Sequence, residues 1–437
     1  VTKTESAVDL SAQRNDQTFA NVFQELKWRG FVQVSTDEAE LERVLSEESV
    51  TYYCGFDPTA ASLHLGHLVQ LLLMRRLQLA GHKPLGLVGG ATGMIGDPRQ
   101  SSERVLNPAE LVQEWVQSLR GQIERFLSFE GENAARMVNN LDWTGSMSAL
   151  EFLRDIGKNF RVGTMMKKDI VAKRLNSDEG ISYTEFSYQI LQGMDYLELY
   201  RRYGCTVQTG GSDQWGNLTS GTELVRKVEG KHVSALGTPL ITNSDGTKFG
   251  KSEGNAIWLD PELCSPYAFY QFWVNTADAD VVERLKIFTF RSREEIETLA
   301  QAVAERPFAR EAQKALAFEV TALVHGVEAT EQVIAASQAL FGGGDLAGID
   351  AQTVQSMTAE LPAVAVSQGV GIVELLTKTG LSASNSEARR TIAEGGAYVN
   401  NVKITDPEAT FGTADALHGS TLLVRRGKKN LAAARLG

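Results

Sequence analysis

Two short segments hold residue types suited to phosphate chemistry. The first, Pro58-Thr59-Ala60-Ala61-Ser62-Leu63-His64-Leu65-Gly66-His67, sets two imidazoles three residues apart. The second, Lys248-Phe249-Gly250-Lys251-Ser252, sets two ammonium groups three residues apart in a glycine-bearing loop. His64 and His67 fall where helical spacing begins, so they would share one face at a helix start. Free N–H groups and the helix dipole already favour anions there. The imidazoles add donors for phosphate oxygens as charge builds in a transition state. Thr59 offers a hydroxyl to a γ-phosphate, and Gly66 leaves room for a base. The turn signal Asn243-Ser244-Asp245-Gly246 predicts a mobile loop that carries Lys248 and Lys251 over a leaving pyrophosphate. Alone, either segment would read as a solvated surface. In this order, with Gly55, Pro58 and Thr59 beside the first, they predict ATP-dependent activation of a carboxylate.

The elements that must position these groups follow from periodicity. Val50 to Phe56 reads as a buried strand ending at Asp57-Pro58. Leu65 to Leu79 then shows helical apolar spacing, closed by Gly81. Pro84 to Val88 is a second strand, running into Gly89-Gly90-Ala91-Thr92-Gly93. Asn107-Pro108 predicts a helix with Asn at the cap and Pro at its first position. Arg136 to Asn140 and Cys205 to Thr209 are further strands, the latter leading into Gly210-Gly211-Ser212-Asp213. Strands alternating with helices imply a parallel, doubly wound, Rossmann-like sheet, in which ligands lie beyond the carboxyl ends of the strands. Tyr53–Pro58, Gly89–Asp97 and Gly210–Gln214 all fall at those ends. Asp97, closing the second loop, suits the α-ammonium of an amino acid. Tyr188, Gln192 and Asp195 lie at i, i+4 and i+7 and form a polar stripe on one helix face.

At 437 residues the chain predicts two to four domains. The limits expected are a polar leader over 1–18, which is either disordered or an extra helix, and a catalytic domain over 19–262. An α-helical domain spans 263–340, with one helix expected over 307–326. A flexible linker covers 341–369, and a small α+β domain covers 370–437. No apolar run spans a bilayer. Three scattered cysteines, Cys54, Cys205 and Cys264, suit a reducing cytoplasm and give no metal spacing. The net charge of −11 argues against a nucleic-acid binder, but the charge is uneven. From Gly371 onward nine Lys and Arg face six Asp and Glu, a balance of +3 against −14 for the rest. A basic module on an acidic body confines phosphate contacts to one part of the chain.

The runs YYCGFDPTAASLHLGH, GGATGMIGDP, TEFSYQILQGMDY, GGSDQWGN and KFGKS, in this order from about Gln24 onward, resemble the bacterial tyrosyl-tRNA synthetases, a class I aminoacyl-tRNA synthetase family. The resemblance implies that Tyr53 and Asp195 hydrogen-bond a substrate phenol. It implies that Asp97, Tyr188 and Gln192 bind the α-ammonium, with Gln214 near the carboxylate. Asp213 and the backbone around Gly55 and Gly211 would hold the ribose and adenine, with Asp57 and Gly66 also at the ATP site; Arg99 and Arg104, by their place in the loop after Asp97, would face pyrophosphate. Thr59, His64, Lys248 and Lys251 would stabilise its phosphates, with His67 near the ribose. The implied partners are L-tyrosine, ATP with Mg²⁺, tRNA(Tyr) and a second copy of the chain as a homodimer, with no protein-ligated metal and no membrane. Ser386-Glu387-Ala388-Arg389-Arg390 and Gly395-Gly396-Ala397-Tyr398-Val399-Asn400 resemble an S4-type RNA-binding domain, in which Arg389, Arg390, Arg425, Arg426, Lys428 and Lys429 would track phosphates.

The chain departs from the family at Asn385, where a basic residue is common, and at Arg99, where relatives often carry lysine. A tryptophan-specific relative is the nearest alternative, disfavoured by the Tyr53/Asp195 pair and the S4-like tail. A non-catalytic RNA-binding relative would have lost the histidines and lysines, and all four are present.

Overall fold

A computed structural model describes residues 10–98, 106–247, 249–252, 255–342, 346, 348–359, 361–427 and 430–437. Arg99, Arg104, Lys248, Lys428 and Lys429 lie outside the described residues, and Lys251 is described by its backbone alone.

A six-stranded sheet organises the first part of the chain. Its strands are β1 (Val34–Ser35), β2 (Thr51–Phe56), β3 (Lys83–Val88), β4 (Arg136–Asn139), β5 (Cys205–Gly211) and β6 (Ser234–Thr238). Their spatial order is β1-β6-β5-β2-β3-β4. All neighbours pair in parallel except β1, which runs antiparallel to β6 at the edge. The chain steps outward from β2 through β3 to β4, then returns to the other side of β2 as β5. The strand order therefore reverses between β2 and β5, where a doubly wound sheet opens a crevice for ligands. Tyr52, Tyr53 and Cys54 of β2 are all buried, as expected for a central strand covered on both faces.

The Leu65–Leu79 helix has the bounds its periodicity predicts. Leu65, Leu68, Val69, Leu72, Leu73 and Leu77 are buried, each worth about 2 kcal/mol in apolar area removed from water. Its other side is buried too, and there polar groups find partners. Gln70 donates to Thr238 Oγ1 at 2.7 Å, and Arg76 reaches Glu25 at 2.9 Å. Glu25 also pairs with Arg29 at 2.7 Å, so a buried triad closes the C-terminal end of this helix.

Two compact units divide the chain. One runs to residue 263 and resumes over 276–316; the other comprises 264–275 and 317–437. The second unit carries a five-stranded sheet. Across it the strands run in the order Val402–Ile404, Ala397–Val399, Thr421–Arg426, Asn430–Leu436 and Ala363–Val366. The Ile372–Lys378 and Asn385–Ala393 helices share a core with this sheet through Ile372, Leu375, Leu376, Ala388 and Ile392.

Three local readings need correction. Asn107 does not cap its helix. The helix starts at Ala109: Pro108 is itself extended at ψ 143° and takes the cap position, with no side-chain cap bond. The stretch 307–326 is not one helix. Arg310 adopts the left-handed region at φ 52° and separates a short 3₁₀ turn, Pro307–Ala309, from the Glu311–His325 helix. The expected linker is not structureless. It holds the Ala351–Ala359 helix and the Ala363–Val366 strand, which pairs in parallel with Asn430–Leu436. Its small and polar residues hid a strand whose register is set by pairing far along the chain. In the leader, the described residues 10–18 form no helix; Asn15 donates to the Arg76 carbonyl at 2.9 Å.

Candidate active site

The two histidines are locked by the backbone of their own helix. His64 is the cap residue, and its Nδ1 accepts from the Gly66 N–H at 3.0 Å. The His64 N–H in turn donates to His67 Nδ1 at 3.2 Å. The rings stack with centroids 4.0 Å apart. An Nδ1 that accepts an amide proton carries a lone pair, so each ring bears its proton on Nε2. Burial, then the neighbouring His64, holds the His67 imidazole well below its usual range and keeps it neutral. The result is two oriented N–H donors at a helix N-terminus. Gly66 is required by this stack, since a Cβ there would come within 2.9 Å of the His64 ring.

The segment after the lysine signature is laddered to the residues before this helix. Leu65 N–H donates to the Ile257 carbonyl at 3.2 Å, Leu259 N–H to Leu63 at 2.9 Å, and Ile257 N–H to Gly250 at 2.9 Å. Trp258 lies 6.0 Å from the His64 ring. Residues far apart in sequence thus converge on one place.

A buried polar network lies at the ends of β2, β3 and β4. Asp57 accepts from Thr92 Oγ1 at 2.6 Å and from the Tyr188 hydroxyl at 2.7 Å. Asn140 donates to Thr92 Oγ1 at 2.9 Å and to Asp195 at 3.0 Å. Trp143 Nε1 donates to the other Asp195 oxygen at 2.9 Å. Gly89 makes this possible: a Cβ at that position would lie 2.0 Å from Asp57 Oδ1. Asp195 is 2 % exposed, and burial raises its carboxyl to about 7 against the lowering effect of its two donors. Beside it the Tyr53 hydroxyl is buried and has no hydrogen-bond partner among the described residues. The Tyr53 ring packs edge-on against Tyr196, centroids 5.2 Å apart. Burial, then the Asp195 charge, pushes the Tyr53 phenol well above its usual range.

Across the crevice, Asp97 accepts from Gln214 Nε2 and Asn217 Nδ2, both at 3.1 Å. Gln214 and Asp213 occupy the 3₁₀ turn Ser212–Gln214 that follows β5, beside Gly211. Thr59 is exposed, and its N–H donates to the Asp57 carbonyl at 2.9 Å; Gly55 is exposed on β2, and Gln192 is half-buried.

Together these groups make a neutral N–H pair for phosphate oxygens, a buried phenol/carboxyl pair and a carboxylate at Asp97 held by two amides. Residues 45–342 match the family described as tRNA synthetases class I (W and Y), and residues 353–433 match the tyrosine–tRNA ligase SYY-like C-terminal domain. A tyrosine–tRNA ligase of Leifsonia xyli is 67% identical over 424 residues, covering 97% of this chain and 96% of the relative. The Streptomyces griseus tyrosine–tRNA ligase is 62% identical, covering 95% of this chain and 99% of the relative. The chain belongs to the tyrosine–tRNA ligase family. A C-terminally truncated mitochondrial tyrosyl-tRNA synthetase of Aspergillus nidulans superposes with a TM-score of 0.67 at 31% identity, covering 74% of this chain and 95% of that one. A tryptophanyl-tRNA synthetase of Encephalitozoon cuniculi shares the fold, with a TM-score of 0.53 at 14% identity.

As a member of this ligase family, the chain activates tyrosine with ATP and transfers it to tRNA. The sequence passed over four residues of the site: Thr92, Asn140, Trp143 and Asn217. Asn140 follows β4 directly, so the rule that ligands gather at strand ends would have found it. Asn217, three residues after Gln214, had helical spacing as its signal. Trp143 had none. In the C-terminal unit, several basic candidates already hold protein partners. Arg389 pairs with Glu408 at 3.0 Å and Arg426 with Glu387 at 2.8 Å, and Arg425 lies 4.0 Å over the Tyr398 ring. Arg390 is exposed at the last turn of its helix.

Proposed function

We propose that the residues brought together here divide the work of tyrosine activation. Tyr53 and Asp195 read the substrate phenol, and the observation that carries this is the buried Tyr53 hydroxyl, which has no partner among the described residues, beside a buried carboxyl. Buried polar groups built for a phenol are left unpaired when phenylalanine binds. The tyrosyl-tRNA synthetases are themselves the known example of rejecting phenylalanine through a missing hydroxyl, without editing. Asp97, Tyr188 and Gln192 hold the α-ammonium, with Gln214 near the carboxylate. Asp57 keeps Tyr188 in place through its 2.7 Å bond.

Gly55, Gly211 and Asp213 take the adenosine portion. Thr59, His64, Lys248, Lys251 and Arg104 stabilise the phosphates, with His67 next to the ribose. Mg²⁺ enters with the nucleotide as part of the substrate. No side-chain nucleophile is needed: positioning and oriented donors lower the barrier to in-line displacement at the α-phosphorus.

Exchange of pyrophosphate into ATP, run with tyrosine, phenylalanine and tryptophan in the absence of tRNA, tests the pocket. Exchange with tyrosine alone supports it; exchange with tryptophan refutes the assignment of Tyr53 and Asp195. Lys251→Ala should slow adenylate formation by at least roughly tenfold, or about 1.4 kcal/mol, while tyrosine affinity holds, as for a contact made mainly in the transition state.

The further reading is a cytoplasmic homodimer whose C-terminal unit binds tRNA, with the helical stretch 263–340 serving the anticodon. Large apolar side chains exposed between 150 and 183 support the dimer, among them Leu150 at 80%, Val162 at 60% and Tyr183 at 67%. Among the described residues no helix is long and apolar enough to cross a membrane.

A further inference from the structure

The Asp278–Phe288 helix touches the lysine loop at three places, and none of the catalytic assignments uses them. Asp280 accepts from the Ser244 N–H at 3.1 Å and from the Ser244 hydroxyl at 3.1 Å. One turn further, Arg284 donates to the Thr242 carbonyl at 2.6 Å. The same guanidinium lies 4.5 Å over the Phe249 ring, which also packs on Phe288 with centroids 5.5 Å apart. Both charged residues are buried, Asp280 at 7 % exposure and Arg284 at 2 %, although Ser244 itself is exposed. Burying two charges is costly unless each is well bonded. Here the bonds go to the main chain and hydroxyl of one loop and not to the helix core.

Between the anchors the loop braces itself. Asn243 N–H donates to the Thr247 carbonyl at 3.0 Å, and Gly246 N–H to Asn243 at 2.9 Å. Beyond Phe249, the Gly250 carbonyl accepts from Ile257, so the far stem is held as well. The same region is tied to the helix that carries the histidines: the Thr289 carbonyl accepts from Arg76, whose guanidinium lies 4.6 Å over Phe290. One helix and its exit segment therefore bear on both phosphate-handling elements.

We propose that Asp280 and Arg284 are positioning residues for the activation step, holding the lysine loop in register with the His64/His67 pair. They touch no substrate and act through Lys251, two residues past the Phe249 anchor in sequence. A loop pre-set by three contacts loses less freedom when its lysines meet the leaving pyrophosphate. This assignment rests on the division of labour proposed above.

The test is a double-mutant cycle on pyrophosphate exchange by the full-length protein. Asp280→Ala and Arg284→Gln should each lower kcat by about tenfold, with tyrosine affinity unchanged in equilibrium dialysis. In a Lys251→Ala background the same changes should cost less than about twofold, because the group they position is gone. Ser244→Ala and Asp280→Asn, which remove one bond or one charge from the same contact, should show the same pattern at several-fold smaller size. They keep the test valid if the buried arginine variant fails to fold. Equal losses with and without Lys251, or a parallel loss of tyrosine affinity, would overturn the positioning role while leaving the ligase reading intact. Silence of the unmodified protein with tyrosine would overturn both.

Discussion

Asp195 shows how burial and function oppose each other at a single residue. Two donors favour its charged form, yet desolvation is larger and leaves the carboxyl at about 7. Its folded value therefore lies above its unfolded one, so the native state holds an extra proton between the ordinary carboxylate range and about 7. Stability from this group is fully present below the unfolded value and is lost as pH rises through about 7. Asp195→Asn should flatten that fall, so the variant's melting temperature changes less than the parent's as pH is raised from the ordinary carboxylate range to about 7. Tyrosine binding should run the other way. A phenol donating to Asp195 needs the carboxylate, so affinity should weaken by up to about tenfold per pH unit below that value. An affinity flat across the same range in calorimetry would remove Asp195 from the phenol site. Trp143→Phe leaves one buried Asp195 oxygen without its 2.9 Å donor and should cost about 1–3 kcal/mol of folding stability by urea denaturation.

The elements gather this chemistry at their ends. β2, β3 and β4 deliver Asp57, Thr92 and Asn140 to one network, while the Tyr183–Tyr203 helix supplies Tyr188 and Asp195 from the side. Gly89 sits where the network is tightest. Gly89→Ala should push on Asp57, disturb the Tyr188 hydroxyl and raise the KM for tyrosine, with a stability loss of about 1–3 kcal/mol by urea denaturation. An unchanged KM would separate Asp57 from the amino-acid site. The strand ends, the 65–79 helix and the two signatures could be read from apolar spacing and turn residues, because those signals are local. The Asn140–Asp195 and Trp143–Asp195 bonds could not, since each joins residues more than fifty positions apart whose types alone suggest ordinary packing.

At the scale of the whole molecule, a basic stretch from Gly371 onward follows an acidic remainder, and the two proposed macromolecular contacts are separable. Leu150→Asp with Val162→Asp should convert a dimer to a monomer in sedimentation, since each charge would enter an apolar contact; a dimer that persists would place the interface elsewhere. Arg389→Ala with Arg390→Ala should raise the KM for tRNA and reduce the salt dependence of tRNA binding while pyrophosphate exchange stays unchanged. Arg390 is the stronger candidate, because Arg389 is already engaged by Glu408. Residue type, short spacing and periodicity were enough to establish the class of chemistry, the alternating β/α framework and most of the residues at the strand ends. Folding in three dimensions was needed to decide which nitrogen of each histidine carries its proton, which partners fix Asp195, and that the segment after Gly344 contributes the Ala363–Val366 strand to a sheet. Those outcomes depend on desolvation and on pairing between distant segments, and neither exists until the chain has folded.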